Sequence, residues 1–145
     1  MKTVIRPLEK ADAVCLAELD RKSFSLPWSV AAFEQLTARD YCTYFVAEAD
    51  GRIVGCAGYV LLCGEADIDK VVVEERFRGQ GIASELMRIL IDYGEQHGAE
   101  AFTLEVRASN EPAIRLYEKY GFVTEGIRPG FYEKPVEDAK IMWRR

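Results

Sequence analysis

Residues 3–6 alternate weakly between polar and apolar positions and stop at Pro7, the pattern of a short first strand. Over residues 9–24 the spacing lengthens, with Ala13, Leu16, Ala17, Leu19 and Phe24 recurring at near-helical intervals. Pro27-Trp28-Ser29 interrupts that helix, and Ser29 can cap a second, short one through Val30, Phe33 and Leu36. Residues 41–49, rich in aromatics and valine, predict a strand. Asp50-Gly51 reads as a hairpin turn, and residues 52–62 as the returning strand, with Gly55 and Gly58 at bulges or close approaches. Cys63-Gly64-Glu65 turns the chain into a strand over residues 66–73. A helix over residues 81–97 presents Ile82, Leu86, Ile89, Leu90 and Tyr93 as its apolar face and ends at Gly98. Residues 101–106 predict a buried strand. Asn110 caps the next helix, whose first turn tolerates Pro112. Residues 122–127 predict a strand, residues 128–132 a loop, and residues 139–143 a closing strand.

The order β-α-α-β-β-β-α-β-α-β-β predicts an α/β sandwich: a mixed, largely antiparallel sheet, a central parallel β-α-β unit, and helices on both faces. With 145 residues, 49% of them apolar, the chain is expected to form one domain over residues 1–145, with a core that needs no disulfides. It shows no repeat or linker. No apolar run approaches membrane-spanning length and the first residues lack a signal-peptide profile, so a cytoplasmic protein is expected. A net charge of -5 argues against a dedicated nucleic-acid binder and is compatible with attraction to a basic peptide. Cys15, Cys42, Cys56 and Cys63 form no C-x-x-C pair, and His97 is the single histidine. No metal site is therefore expected. Cys56 and Cys63 read as packing residues.

Two segments carry candidate chemistry. Arg78-Gly79-Gln80-Gly81-Ile82-Ala83 follows Val71-Val72-Val73 and opens a helix. Its small residues let backbone approach a bulky anion, and the first helical turn offers unpaired N–H groups that suit a pyrophosphate. A tight connection that simply requires glycine is the other reading. The second segment is Leu104-Glu105-Val106-Arg107-Ala108-Ser109-Asn110, followed by a helix carrying Tyr117. It places a carboxylate near the end of a strand and a phenol on the helix that packs back over the same crevice. Singly, Glu105 also reads as a solvated strand-end charge and Tyr117 as a half-buried aromatic.

Together these segments resemble the GNAT family of acetyl-CoA-dependent N-acetyltransferases and, within it, the bacterial ribosomal-protein alanine N-acetyltransferases of the RimI type. The Pro27-Trp28 turn and Arg128-x-x-Phe131-Tyr132 carry the narrower resemblance. It implies acetyl-CoA as co-substrate, its pyrophosphate on the N–H groups of Arg78, Gly79, Gln80, Gly81, Ile82, Ala83 and Ser84, its pantetheine along Val71, Val72 and Val73, and a contact from Asn110. It implies Glu105 as proton acceptor and Tyr117 as proton donor, with Trp28, Phe131 and Tyr132 lining a groove for the N-terminal segment of a ribosomal protein. No direct nucleic-acid or membrane partner is implied. Acetylation of a small amine or a lysine side chain, or a CoA-binding module without turnover, are the alternatives. Trp28 as a plug between helices, Asn110 as a cap alone, and Asp67 and Asp69 on a solvated face all stay open. Arg107 either meets a phosphate or braces the loop. Asp67-Ile68-Asp69-Lys70 replaces a more apolar stretch of the family, and Pro129-Gly130 a more polar pair.

Overall fold

The computed structural model describes residues 2–145. Its elements are β1 (Thr3–Pro7), α1 (Ala13–Ser23), α2 (Val30–Leu36), β2 (Cys42–Ala49), β3 (Arg52–Leu62), β4 (Glu65–Val73), α3 (Ile82–Gln96), β5 (Ala101–Arg107), α4 (Glu111–Lys119), β6 (Val123–Tyr132) and β7 (Glu137–Arg144). A 3-10 turn over Lys10–Asp12 precedes α1, so the predicted first helix starts later than its apolar spacing suggests. The strands form one sheet in the order β1-β2-β3-β4-β5-β7-β6. Every neighbour is antiparallel except β4 and β5, which α3 connects in parallel. This is the mixed α/β architecture that the element order predicts.

Local chemistry explains the turns. Asp50 and Gly51 both have positive φ, 53° and 80°, as do Cys63 and Gly64, again 53° and 80°. Two successive left-handed residues match the twist of paired strands in a two-residue hairpin. Cys63 is thus an exposed turn residue and not a packing residue; Cys56 is buried. Ser29 and Asn110 cap α2 and α4, accepting from the Ala32 and Ala113 N–H groups at 3.1 and 3.3 Å.

Two cores flank the sheet. Leu16, Leu19, Phe33, Tyr44, Val46, Cys56 and Val72 pack under α1 and α2. The larger core joins α3 and α4 to the opposite face. In α3 the buried stripe is Ile82, Leu86, Met87, Leu90, Ile91 and Gly94, rotated from the predicted face, and Tyr93 lies at its margin. Gly94 fixes that rotation: a Cβ there would sit 2.7 Å from the Phe102 ring, so the helix can press this face onto β5 only without a side chain.

Residues 128–132 belong to β6 and not to the predicted loop. Pro129 sits on the edge strand of the sheet, where a missing N–H costs no ladder bond. Residues 129–131 bulge out between the pairs Arg128↔Ala139 and Tyr132↔Glu137, and the Gly130 N–H donates to Asp138 Oδ1 at 2.9 Å. The segment therefore keeps its irregular shape without leaving the sheet.

Two features of β4 position the site. First, it carries a bulge: Ile68 faces Tyr59 and Lys70 faces Gly58, leaving Asp69 as the extra residue. Ala66 and Ile68 belong to the core under α3, while Val72 belongs to the core under α1 and α2. The bulge thus turns Asp69 and Lys70 toward the same face. The Tyr44 ring lies directly over Gly58, where a Cβ would stand 1.8 Å from it, so only glycine admits this approach. Second, β4 meets β5 at just three pairs, Glu65↔Ala101, Ala66↔Phe102 and Asp67↔Thr103. Beyond them residues 68–73 have only β3 beside them, and residues 104–107 only β7. The strands diverge toward their carboxyl ends, and the wedge they leave is where open α/β sheets bind ligands. Among the described residues no helix is long and apolar enough to cross a membrane.

Candidate active site

The wedge has a backbone wall and a side-chain wall. Its β4 wall ends in Val71, Val72 and Val73, whose β5-facing edge carries no strand. The chain then makes a short 3-10 turn and enters Arg78-Gly79-Gln80-Gly81. Gly79 and Gly81 are left-handed, with φ of 76° and 84°, and a Cβ on either would meet nothing within 4 Å. The glycines are required by backbone conformation, and they leave open space beside the start of α3. No side chain caps that helix, so the N–H groups of Ile82, Ala83 and Ser84 stay available. Arg78 folds back to donate from Nε to the Val73 carbonyl at 3.0 Å. Its Nη groups make no ion pair among the described residues. Those Nη groups are therefore available, beside the expected N–H groups, to an anion at this turn. Tyr120, at the end of α4, lies 2.7 Å from Ser84 Oγ and donates to the Ser84 carbonyl at 2.8 Å, tying α4 to α3.

On the opposite wall Glu105 projects from β5, and the buried Leu104 and Val106 on either side of it pack in the core under α3 and α4. Glu105 thus faces the α1–α2 side. Arg128 reaches its Oε2 at 2.9 Å, but the approach lacks hydrogen-bond alignment, and this buried oxygen keeps an unfilled acceptor. The pair lines a cavity of about 380 Å³ with Val60, Asp67, Thr103 and Trp143. Asp67 faces this cavity, where burial raises its carboxyl above the usual range against the opposing charge of Arg128. Asp69, on the β4 bulge, is an exposed residue. Burial of its carboxyl nevertheless pushes it up to about 6, although Tyr44 donates a 2.5 Å hydrogen bond that favours the charged form.

Tyr117 lies in the core under α4, tilted against Phe122 at 6.0 Å between ring centroids. Burial holds its hydroxyl proton on well above the ordinary phenol range, with Tyr132 adding to the effect. Tyr132 itself is pushed up to about 12 by burial and then by the charge of Glu105. Tyr132 thus stands electrostatically between Glu105 and Tyr117.

The other expected residues distribute differently. Asn110 caps α4. Phe131 is exposed and stands edge-on to Tyr132 at 5.0 Å. Trp28 packs against Phe33 and Tyr44, at 5.4 and 6.2 Å, as a partly buried plug. Arg107 braces the β6–β7 turn, donating to the Pro135 and Glu133 carbonyls, each at 3.0 Å, and lying 4.5 Å over the Tyr132 ring. Arg128 enters the sequence pattern only through Arg128-x-x-Phe131-Tyr132, with no role of its own, and the Asp20–Lys70 pair beneath Trp28 is absent from it. Their signals were an unbroken polar Asp69-Lys70 step in a strand and an aspartate beside Leu16 and Leu19 on an apolar helix face. Among the described residues no group of three or more candidate metal ligands is present.

The acetyltransferase (GNAT) family profile matches residues 14–122. A putative ribosomal protein bS18-alanine N-acetyltransferase of Bacillus subtilis is 34% identical over 98% of this chain and 95% of its own length. The N-alpha-acetyltransferase RimI of Mycobacterium tuberculosis is 34% identical over 97% of this chain and 90% of its own. The crystal structure of the ribosomal-protein-S18-alanine N-acetyltransferase from Escherichia coli superposes with a TM-score of 0.90 at 30% identity, covering 99% of this chain and 93% of that one. A profile that spans both walls of the wedge, and relatives that align nearly end to end, place this chain in the GNAT acetyltransferase family.

Proposed function

We propose that this acetyltransferase moves the acetyl group of acetyl-CoA onto the terminal α-amine of a protein, the N-terminal alanine of a small-subunit ribosomal protein. The observation that carries the reading is Glu105, whose buried Oε2 keeps an unfilled acceptor and lines a cavity on the α1–α2 face of the sheet, where β4 and β5 begin to part. The acceptor class rests on relatives named as bS18-alanine N-acetyltransferases.

The residues present fit the co-substrate. The free edge of β4 offers strand-like pairing to the pantetheine amides. The open glycine turn, the uncapped start of α3 and the Arg78 guanidinium suit the pyrophosphate. When bound there, acetyl-CoA supplies an acyl group activated as a thioester. Glu105 takes the proton of the acceptor ammonium, directly or through water, so that nitrogen can attack as a free amine. A new N–C bond forms as the C–S bond breaks. The buried Tyr117 hydroxyl, protonated at any working pH, donates a hydrogen bond to the departing sulfur and then its proton, which solvent replaces. Phe131 and Tyr132, at the rim, guide the acceptor segment.

Transfer to synthetic peptides tests the acceptor. Peptides with a free N-terminal alanine should be acetylated, whereas N-blocked lysine peptides and polyamines should not. Preference for lysine peptides or polyamines would assign the enzyme to the other acceptor class. A terminal amine near pKa 8 is the easier nucleophile, because lysine near 10.4 holds its proton more tightly.

Two substitutions at one position test the anion turn. Gly81→Ala carries only the left-handed strain, about 1–2 kcal/mol. Gly81→Glu adds a carboxylate in the same space. Calorimetry should find CoA binding weaker in Gly81→Glu than in Gly81→Ala by about 10-fold or more. Equal affinities would remove this turn from the pyrophosphate site.

A further inference from the structure

Beneath the rim lies an ion pair that the proposed chemistry does not use. Lys70 Nζ lies 2.8 Å from both carboxylate oxygens of Asp20, and the two side chains are 5% and 0% exposed. The same Nζ stands 4.0 Å from the Trp28 ring and 4.3 Å from the Phe24 ring. Asp20 Oδ2 also accepts the Trp28 backbone N–H at 2.8 Å. One carboxylate therefore holds the backbone of the α1–α2 connection and the bulge of β4 together. The far side of that connection is tied as well. Ser25 Oγ donates to the Glu133 carbonyl at 3.0 Å, and that carbonyl also accepts from Arg107. Arg107 sits two residues beyond Glu105 on β5 and braces Tyr132. The links run from one arm of the wedge to the other: Lys70, Asp20, residues 24–29, Glu133, Arg107.

Why a charged pair occupies this place follows from energetics. A buried ion pair loses so much hydration that apolar residues of equal volume often stabilise a core as well or better. What it offers instead is direction. The carboxylate fixes one backbone N–H, and the ammonium fixes the faces of two aromatic rings. We propose that Lys70 and Asp20 are positioning residues for acceptor recognition, seating the α1–α2 connection so that the acceptor side of the wedge is preformed. This rests on the reading that the acceptor reaches Glu105 from the α1–α2 face. Val71 to Val73 and the glycine turn carry none of these side-chain links, so binding of the co-substrate should not depend on them.

The test uses the full chain, acetyl-CoA and a synthetic peptide with a free N-terminal alanine. Lys70→Met leaves Asp20 buried without its cation and can fail to fold, so the deciding variant is Asp20→Asn with Lys70→Met. It removes both charges and keeps an oxygen for the Trp28 N–H. The peptide KM should rise about 10-fold or more, while kcat and the acetyl-CoA KM move by less than about 3-fold. Lys70→Arg, which keeps the cation, should recover part of the loss. Amide exchange in the double variant should quicken over residues 24–29 and stay unchanged in α3 and β5. An unchanged peptide KM, or peptide and acetyl-CoA KM rising together, would overturn the proposal. If the wild-type enzyme acetylates no N-terminal peptide, the acceptor assignment fails separately. Exchange then still decides: unchanged protection at residues 24–29 overturns the positioning role whatever the acceptor is.

Discussion

Glu105→Gln should lower kcat/KM at pH 7 by about 100-fold or more, because the amide keeps the shape of the side chain but cannot take a proton. The partner left behind is Arg128, which is 58% exposed and stays hydrated, so the fold should tolerate the change. The pH dependence carries the sharper information. Without a base, only acceptor molecules that have already lost their proton can react. The variant's rate should therefore climb with pH until the terminal amine titrates near 8, while the wild-type rate climbs less. CoA affinity, which we propose is set on the β4 wall, should not change. Full activity of the variant at neutral pH would remove Glu105 from proton transfer. The 380 Å³ cavity it lines would then be a binding surface only.

Tyr117→Phe should lower kcat by about 10- to 1000-fold with little change in either KM. The span follows from two opposing facts. A thiol near 8.5 makes CoA a tolerable leaving group without help. Burial also holds the Tyr117 proton more tightly than in a free phenol, so complete transfer to sulfur is uphill until solvent restores the balance. The hydroxyl then acts most as a hydrogen bond that strengthens while charge builds on sulfur. The ring itself packs in the core beside Phe122, and phenylalanine preserves that packing. Thermal stability should be nearly unchanged. A variant with unaltered kcat and a raised acceptor KM would make Tyr117 a binding residue. The donor would then be sought at Tyr132, which is pushed up to about 12 and feels the charge of Glu105.

The wedge was legible in the sequence because its walls are local. Val71 to Ser84 is one strand-turn-helix, and Leu104 to Tyr117 is one strand-loop-helix, each read from contiguous residues. Hairpins were legible for the same reason, since Asp50-Gly51 needs only its own backbone. What failed was non-local. Pro129-Gly130 looks like a turn in sequence, and only its place on the edge strand lets it continue β6. The rotation of α3 depends on Gly94 meeting Phe102 across the core. Lys70 and Asp20 are 50 positions apart, and the bulge that turns Lys70 toward α1 has no sequence signal stronger than two adjacent polar residues. Trp28, weighed as both groove and plug, packs as the plug because its ring covers that pair.

The short β4–β5 contact has one more consequence. Three residue pairs join a four-stranded half, β1 to β4, to a three-stranded half, β5 to β7. Past that seam the backbone amides on both arms must bond to water or to a guest. Any guest that bonds to both arms adds to the cohesion that the core under α3 and α4 already supplies. Its binding energy is then also energy holding the halves in register, and resistance to unfolding should track the ratio of guest concentration to dissociation constant. Loading the wedge and consolidating the sheet then reinforce each other.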